Sequence, residues 1–123
     1  MTAAIRALAD RFFAAIEAGD ADAALACYAP DARIWHNTDG LEQDVAANAR
    51  TLRGLIAVTT SRRYENRRLE VLPTGVVQQH VLVADRPDRP TLHLPACLIC
   101  AVANDRITRL DEYFDSRALD VWR

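Results

Sequence analysis

The chain contains no lysine: all fifteen of its basic residues are arginine, set against seventeen acidic residues, for a net charge of −2. With no excess of positive charge, nothing draws it to phosphate backbones or anionic lipid, and neither nucleic acid nor a membrane surface is an expected partner. No uncharged apolar run approaches the length that spans a bilayer. The opening Met1-Thr2-Ala3-Ala4-Ile5-Arg6 lacks the basic stretch and apolar run of an export signal, so a cytoplasmic location is expected. Cysteine is scarce and odd in number, at Cys27, Cys97 and Cys100, which argues against a disulfide framework. Low-complexity stretches and internal repeats are missing too. The want of lysine, alongside abundant alanine, fits a GC-rich bacterial genome rather than a special use of guanidinium groups.

What is present is ordinary for a globular protein: 123 residues, half of them hydrophobic and 26% charged. A chain of this size buries roughly two-thirds of its unfolded surface, enough for one core, and residues 1–123 read as a single domain. Ile5, Leu8, Ala9, Phe12, Phe13 and Ile16 recur at helical spacing, with Gly19 as the stop. Asp20 caps a short alanine-rich second helix that ends at Pro30-Asp31. Ala32 to Asn37 reads as a strand and Thr38-Asp39-Gly40 as a turn. The helical period returns from Glu42 to about Val58. Four strand-like runs follow, at Arg62–Leu72, Val76–Ala84, Thr91–Val102 and Arg106–Asp115, joined by short connections that imply an antiparallel meander. Ser116 begins a last turn through Leu119 and Trp122. Three helices ahead of a run of strands give an α+β domain, with helices on one face of the sheet.

That order of elements resembles the nuclear transport factor 2-like superfamily, within it the SnoaL-like branch. The residues that carry the likeness are Tyr28-Ala29-Pro30-Asp31-Ala32 and the stretch from Ile107 through Asp111-Glu112-Tyr113-Phe114-Asp115. The resemblance implies a cone-shaped, curved antiparallel sheet enclosing a pocket, and a homodimer through the open sheet face. It also implies a range of activities, from ketosteroid isomerases, epoxide hydrolases, polyketide cyclases and dehydratases to binding modules, among which the fold does not choose. Glu112 falls where epoxide hydrolases of this type carry a water-activating Asp, and Asn37 where they carry a water-orienting Asn. Trp35 stands at the position of their Tyr. Their Arg and second Asp, two apart on the middle strand, have no counterpart in Val76–Ala84. The general-base Asp of ketosteroid isomerases corresponds to Asn37, which takes up no proton, and their first-helix Tyr would meet only Phe12 and Phe13.

Alternation places Thr108, Leu110, Glu112 and Phe114 on one strand face, and Ile107, Arg109, Asp111 and Tyr113 on the other. A carboxyl facing an apolar cavity has its charged form disfavoured, which suits general acid or base work, so Glu112 is the first candidate catalytic group. His80, mid-strand, is a second, as a proton donor or an orienter of a carbonyl. Asn37 is a third, with Trp35 beside it as an apolar wall. Tyr64, Leu110, Phe114 and Phe12 complete the expected pocket. Cys97 and Cys100 lie three apart on opposite strand faces and the histidines are scattered, so no metal site is expected. Arg62, Arg63, Arg67 and Arg68 read as a solvated strand edge. The function expected is cofactor-free hydration, dehydration, isomerisation or cyclisation of a small apolar oxygenated compound. The alternative is a binding or dimerisation module using the same cavity.

Overall fold

The computed structural model describes residues 2–123. In chain order these form α1 (Thr2–Ala18), α2 (Ala21–Leu25), β1 (Tyr28–His36), β2 (Glu42–Gln43), α3 (Val45–Val58), β3 (Ser61–Leu72), β4 (Gly75–Asp85), β5 (Leu92–Ala103) and β6 (Arg106–Phe114), closed by a 3-10 helix at Ser116–Trp122. The strands make one open six-stranded sheet in the order β2-β1-β6-β5-β4-β3. It is the α+β class expected, with the four-strand meander antiparallel throughout. The first strand enters differently, by a parallel pairing of β1 with β6 that the meander alone does not imply.

Local chemistry explains most of the boundaries. Gly19, at φ +75°, ends α1 with bonds from its own N–H to the Ile16 carbonyl and from Asp20 N–H to the Ala15 carbonyl. Only glycine takes that left-handed position without steric cost. Asp20, Asp44 and Asp115 each accept a backbone N–H at a helix start, from Ala23, Ala47 and Arg117, a cap worth about 1 kcal/mol. Asn104 and Asp105, both at positive φ, form the tight β5–β6 turn. A Cβ at Gly75 would lie 1.9 Å from the Cys100 carbonyl oxygen, so the two strands approach only because that residue has none.

Three expectations change. β1 starts at Tyr28 rather than Ala32 and carries Pro30 within it; the pairing shifts register between Tyr28 and Arg33, a bulge in which a residue without an N–H is tolerated. α3 starts at Val45 rather than Glu42, because Asp44 takes the cap and Glu42–Gln43 pair with Ile34–Trp35 as β2. Ile107, expected to point outward, is buried in the core. The β5–β6 register shifts between Ala101 and Val102, and that irregularity resets the alternation before Arg109.

The apolar face of α1 (Leu8, Phe12, Phe13, Ile16) packs on the inner sheet residues Ile34, Val76, Leu98, Ile107 and Leu110. A second cluster, Leu82, Ala84, Leu92 and Leu94, meets Phe114, Leu119 and Trp122 at the other end of the sheet. Arg62 is no part of a solvated edge. It is 9% exposed, and its guanidinium donates to the Ile16 carbonyl (2.9 Å), the Glu17 carbonyl (3.4 Å), the Thr59 carbonyl (3.4 Å) and Thr59 Oγ1 (2.6 Å). It thereby adds donors at the C-terminal ends of two helices, where the Ile16 carbonyl also accepts the Gly19 N–H. Replacing Arg62 by Met keeps the apolar stem but removes all four of its bonds. The expected loss is about 2–3 kcal/mol, read as a lower urea midpoint at unchanged slope, with Arg62→Lys recovering part of it.

Candidate active site

Between the inner sheet face and helices α1 and α3 lies a cavity of about 360 Å³. Its walls are mostly apolar, from Phe12, Leu82, Leu94, Leu98, Leu110 and Phe114, with Tyr64 among them. The 3-10 helix closes one side through Leu119 and Trp122. The Trp122 indole N–H donates to the Pro90 carbonyl (3.0 Å), and the Arg86 guanidinium lies 5.3 Å above its ring. An aromatic side chain held at both its polar tip and its face is well placed to be a fixed wall.

Two ionisable groups of the lining meet at one point. The parallel register sets His36 of β1 directly beside Glu112 of β6, and His36 Nε2 lies 3.1 Å from Glu112 Oε1. Each side chain is only about a fifth exposed, at 20% and 21%. The hydrogen bond to Glu112 raises the His36 pKa above the ordinary imidazole value; burial opposes it, and the Glu112 and Asp39 charges add to it. Proton donor and carboxylate thus share one bond at the cavity wall. Tyr28 and Tyr64 are both pushed up, by burial before anything else, and stay protonated. Burial likewise pushes the Cys100 thiol to about 12, which leaves it unreactive.

Of the other expected site residues, Tyr64, Leu110, Phe114 and Phe12 line the cavity with Glu112. Trp35 does not. It lies on the opposite face of the sheet, with its ring 5.2 Å from that of Tyr113, because Ala32 and Ile34 take the inward positions of β1 and alternation turns Trp35 out. Asn37 is also absent from the lining: its Oδ1 accepts the Phe114 N–H (3.0 Å) and its own N–H donates to the Glu112 carbonyl (3.1 Å). It ties the end of β1 to β6 instead of facing a ligand. His80 sits behind the wall, edge-on to Phe13 and Tyr64, whose rings do line the cavity. Its Nδ1 is 2.8 Å from Gln78 Nε2, and Gln78 Oε1 accepts from Arg67 Nε (3.1 Å). Burial lowers its pKa, so the ring is neutral, and its Nε2 has no partner among the described residues.

His36 is the cavity-lining residue that alternation from Trp35 missed; the signal lay in the small and apolar Ala32 and Ile34, which set the opposite phase. Tyr28 and Asn48 also line the cavity, joined by a hydrogen bond of 3.1 Å, and no local pattern marks them. Among the described residues there is no group of three or more His, Cys, Asp or Glu arranged to hold a metal ion. No helix among them is long and apolar enough to cross a membrane.

Residues 9–110 match the family model of the SnoaL-like domain. Solved structures similar to the chain include a candidate polyketide cyclase from Xanthomonas campestris pv. campestris, 22% identical, with 94% of this chain and 93% of that one covered at a TM-score of 0.80. AclR, a candidate hydroxylase from Streptomyces galilaeus, is 13% identical over 99% and 96% of the two chains, with a TM-score of 0.87. An epoxide hydrolase of M. tuberculosis, LEH-like, is 19% identical over 95% and 86%, with a TM-score of 0.77. At these identities the likeness establishes the fold alone. No curated protein matches the chain.

The two inward histidines titrate in opposite directions, which NMR of the imidazole protons resolves. His36 is expected above the free value of about 6.5 and His80 below it, with Glu112→Gln bringing His36 down. By linkage, the stability from His36 is whole below the unfolded value and is lost as pH rises through its raised folded value. That from His80 is whole above the unfolded value and is lost as pH falls through its depressed folded value. The two contributions overlap near pH ~6.5, and urea midpoints should fall on either side. A single flat plateau across both windows would contradict the two assignments.

Proposed function

The chain belongs to the SnoaL-like domain family, and on that premise we propose that its cavity is an acid–base active site for a small, apolar, oxygen-bearing compound. The observation that carries the reading is the His36–Glu112 bond of 3.1 Å in a mostly apolar wall. Glu112, as the carboxylate, takes a proton from the substrate or from a water. His36, whose pKa the bond to Glu112 raises, holds that carboxylate in place and, when protonated, donates toward the oxygen on which charge develops. Hydration, dehydration, isomerisation and aldol-type cyclisation all need this minimum, a placed acceptor and a donor within reach of one oxygen. None of these steps calls on a redox or organic cofactor.

A binding module is the second reading, and the seclusion of His80 and Asn37 speaks for it, since neither contributes a donor to the lining. The two readings separate on Glu112→Gln. Wild type and variant are screened by thermal unfolding against apolar ketones, epoxides, polyketide-like phenols and fatty acids, where a ligand at 100 times its Kd adds about 2.7 kcal/mol. For any compound that turns over, Glu112→Gln is expected to lower kcat/KM by ~10²–10⁴-fold, and His36→Gln by less, with a shifted pH profile. Full turnover by Glu112→Gln would sink the acid–base assignment. Stabilisation of both proteins alike with no turnover would favour simple binding.

The outer sheet face is read as a self-association surface between two copies of the chain. Tyr113 and Ile99 lie on it, 45% and 41% exposed, with Trp35 against Tyr113. Light scattering at micromolar concentration is expected to give twice the chain mass, and Tyr113→Glu to halve it; a wild-type monomer refutes the surface.

A further inference from the structure

Four side chains of the cavity wall are linked in a chain of hydrogen bonds that runs one way. Thr51 Oγ1 lies 3.5 Å from the Ala47 carbonyl, one helical turn back, and gives its hydrogen there. It can therefore only accept from Gln43 Nε2, at 3.1 Å. That turns Gln43 Oε1 toward Asn48 Nδ2, at 3.1 Å, and leaves Asn48 Oδ1 to accept the Tyr28 O–H, also at 3.1 Å. Each amide is oriented by the link before it, so the one hydroxyl hydrogen of Tyr28 is spent at the end of the chain. Tyr28 and Asn48 are 6% and 8% exposed, too buried for bulk water to compete for the bond between them. All four residues line the cavity.

A phenol that has given its hydrogen away keeps lone-pair density to offer. We propose that the Tyr28 oxygen is an acceptor that selects ligands bearing a hydroxyl donor, such as phenols, enols or alcohols, over matched ethers. The inference rests on the reading of the cavity as a site for small oxygenated compounds, and it adds that one ligand oxygen carries a hydrogen to donate. Burial keeps the phenol from ionising, so the acceptor is a neutral oxygen across the physiological range. A buried acceptor discriminates strongly between a partner that donates and one that cannot, because a methyl in place of the hydrogen leaves it unpaired.

The test compares 2-naphthol, 2-methoxynaphthalene and naphthalene binding to the full chain by calorimetry. Wild type is expected to bind 2-naphthol roughly tenfold more tightly than the methyl ether, as one hydrogen bond would give. Tyr28→Phe, which removes the oxygen and keeps the ring, should bring that ratio near one. Asn48→Leu frees the Tyr28 hydrogen to donate into the cavity, so the ether should gain and the ratio fall or reverse; far-UV circular dichroism checks that each variant folds. A wild-type ratio near one, a ratio that survives Tyr28→Phe, or no binding of any probe each overturns the proposal. The first two outcomes leave the acid–base site standing, because that is judged by turnover in Glu112→Gln.

Discussion

The fold depends on one buried cation. Arg62, at the start of β3, bonds to carbonyls at the ends of α1 and α3. Nearby, Glu17 accepts the Tyr64 N–H at 2.9 Å, a second tie between the end of α1 and the same strand. These bonds tie the ends of the two long helices to one strand. An apolar residue in place of Arg62 would remove four of them at once.

A second long-range constraint makes the cavity chemical. β1 and β6 are far apart in the chain, and only their parallel pairing puts His36 against Glu112. Asn37 then stitches the ends of the two strands together. Its side chain thus supports the pair without touching whatever the pair acts on. A slip of one residue in that pairing would turn His36 to the outer face and leave the carboxylate without its donor.

The middle strand tells the complementary story. On the middle strand β4 the chain places Gln78 and His80, and Arg67 reaches across from β3 to bond Gln78. The bulge at Asn66, with its positive φ, interrupts the β3–β4 register just before Arg67. The result is a hydrogen-bonded cluster behind Phe13 and Tyr64 in which the only cation, Arg67, is paired with Asp10 at the surface. Ionisable chemistry is concentrated on the β1–β6 side of the cavity, while the Tyr28–Asn48 side carries neutral hydrogen bonds.

Much of this was legible without a structure. Helical spacing in α1, the glycine stop, the aspartate before α2 and the hairpin turns are local signals, and local signals survive because they depend on a few neighbouring residues. The inward placement of Leu110, Glu112 and Phe114 followed from alternation in a long strand with an apolar face. Tertiary structure alone decided the rest. Trp35 against His36 was a matter of phase in a short strand, where one residue reverses the answer and distant pairing sets it. Ile107 turned inward through a bulge that has no mark in composition. Tyr28 met Asn48, and His36 met Glu112, across separations that no periodicity spans, because side-chain partners are chosen by where the folded backbone brings them and not by their spacing along the chain.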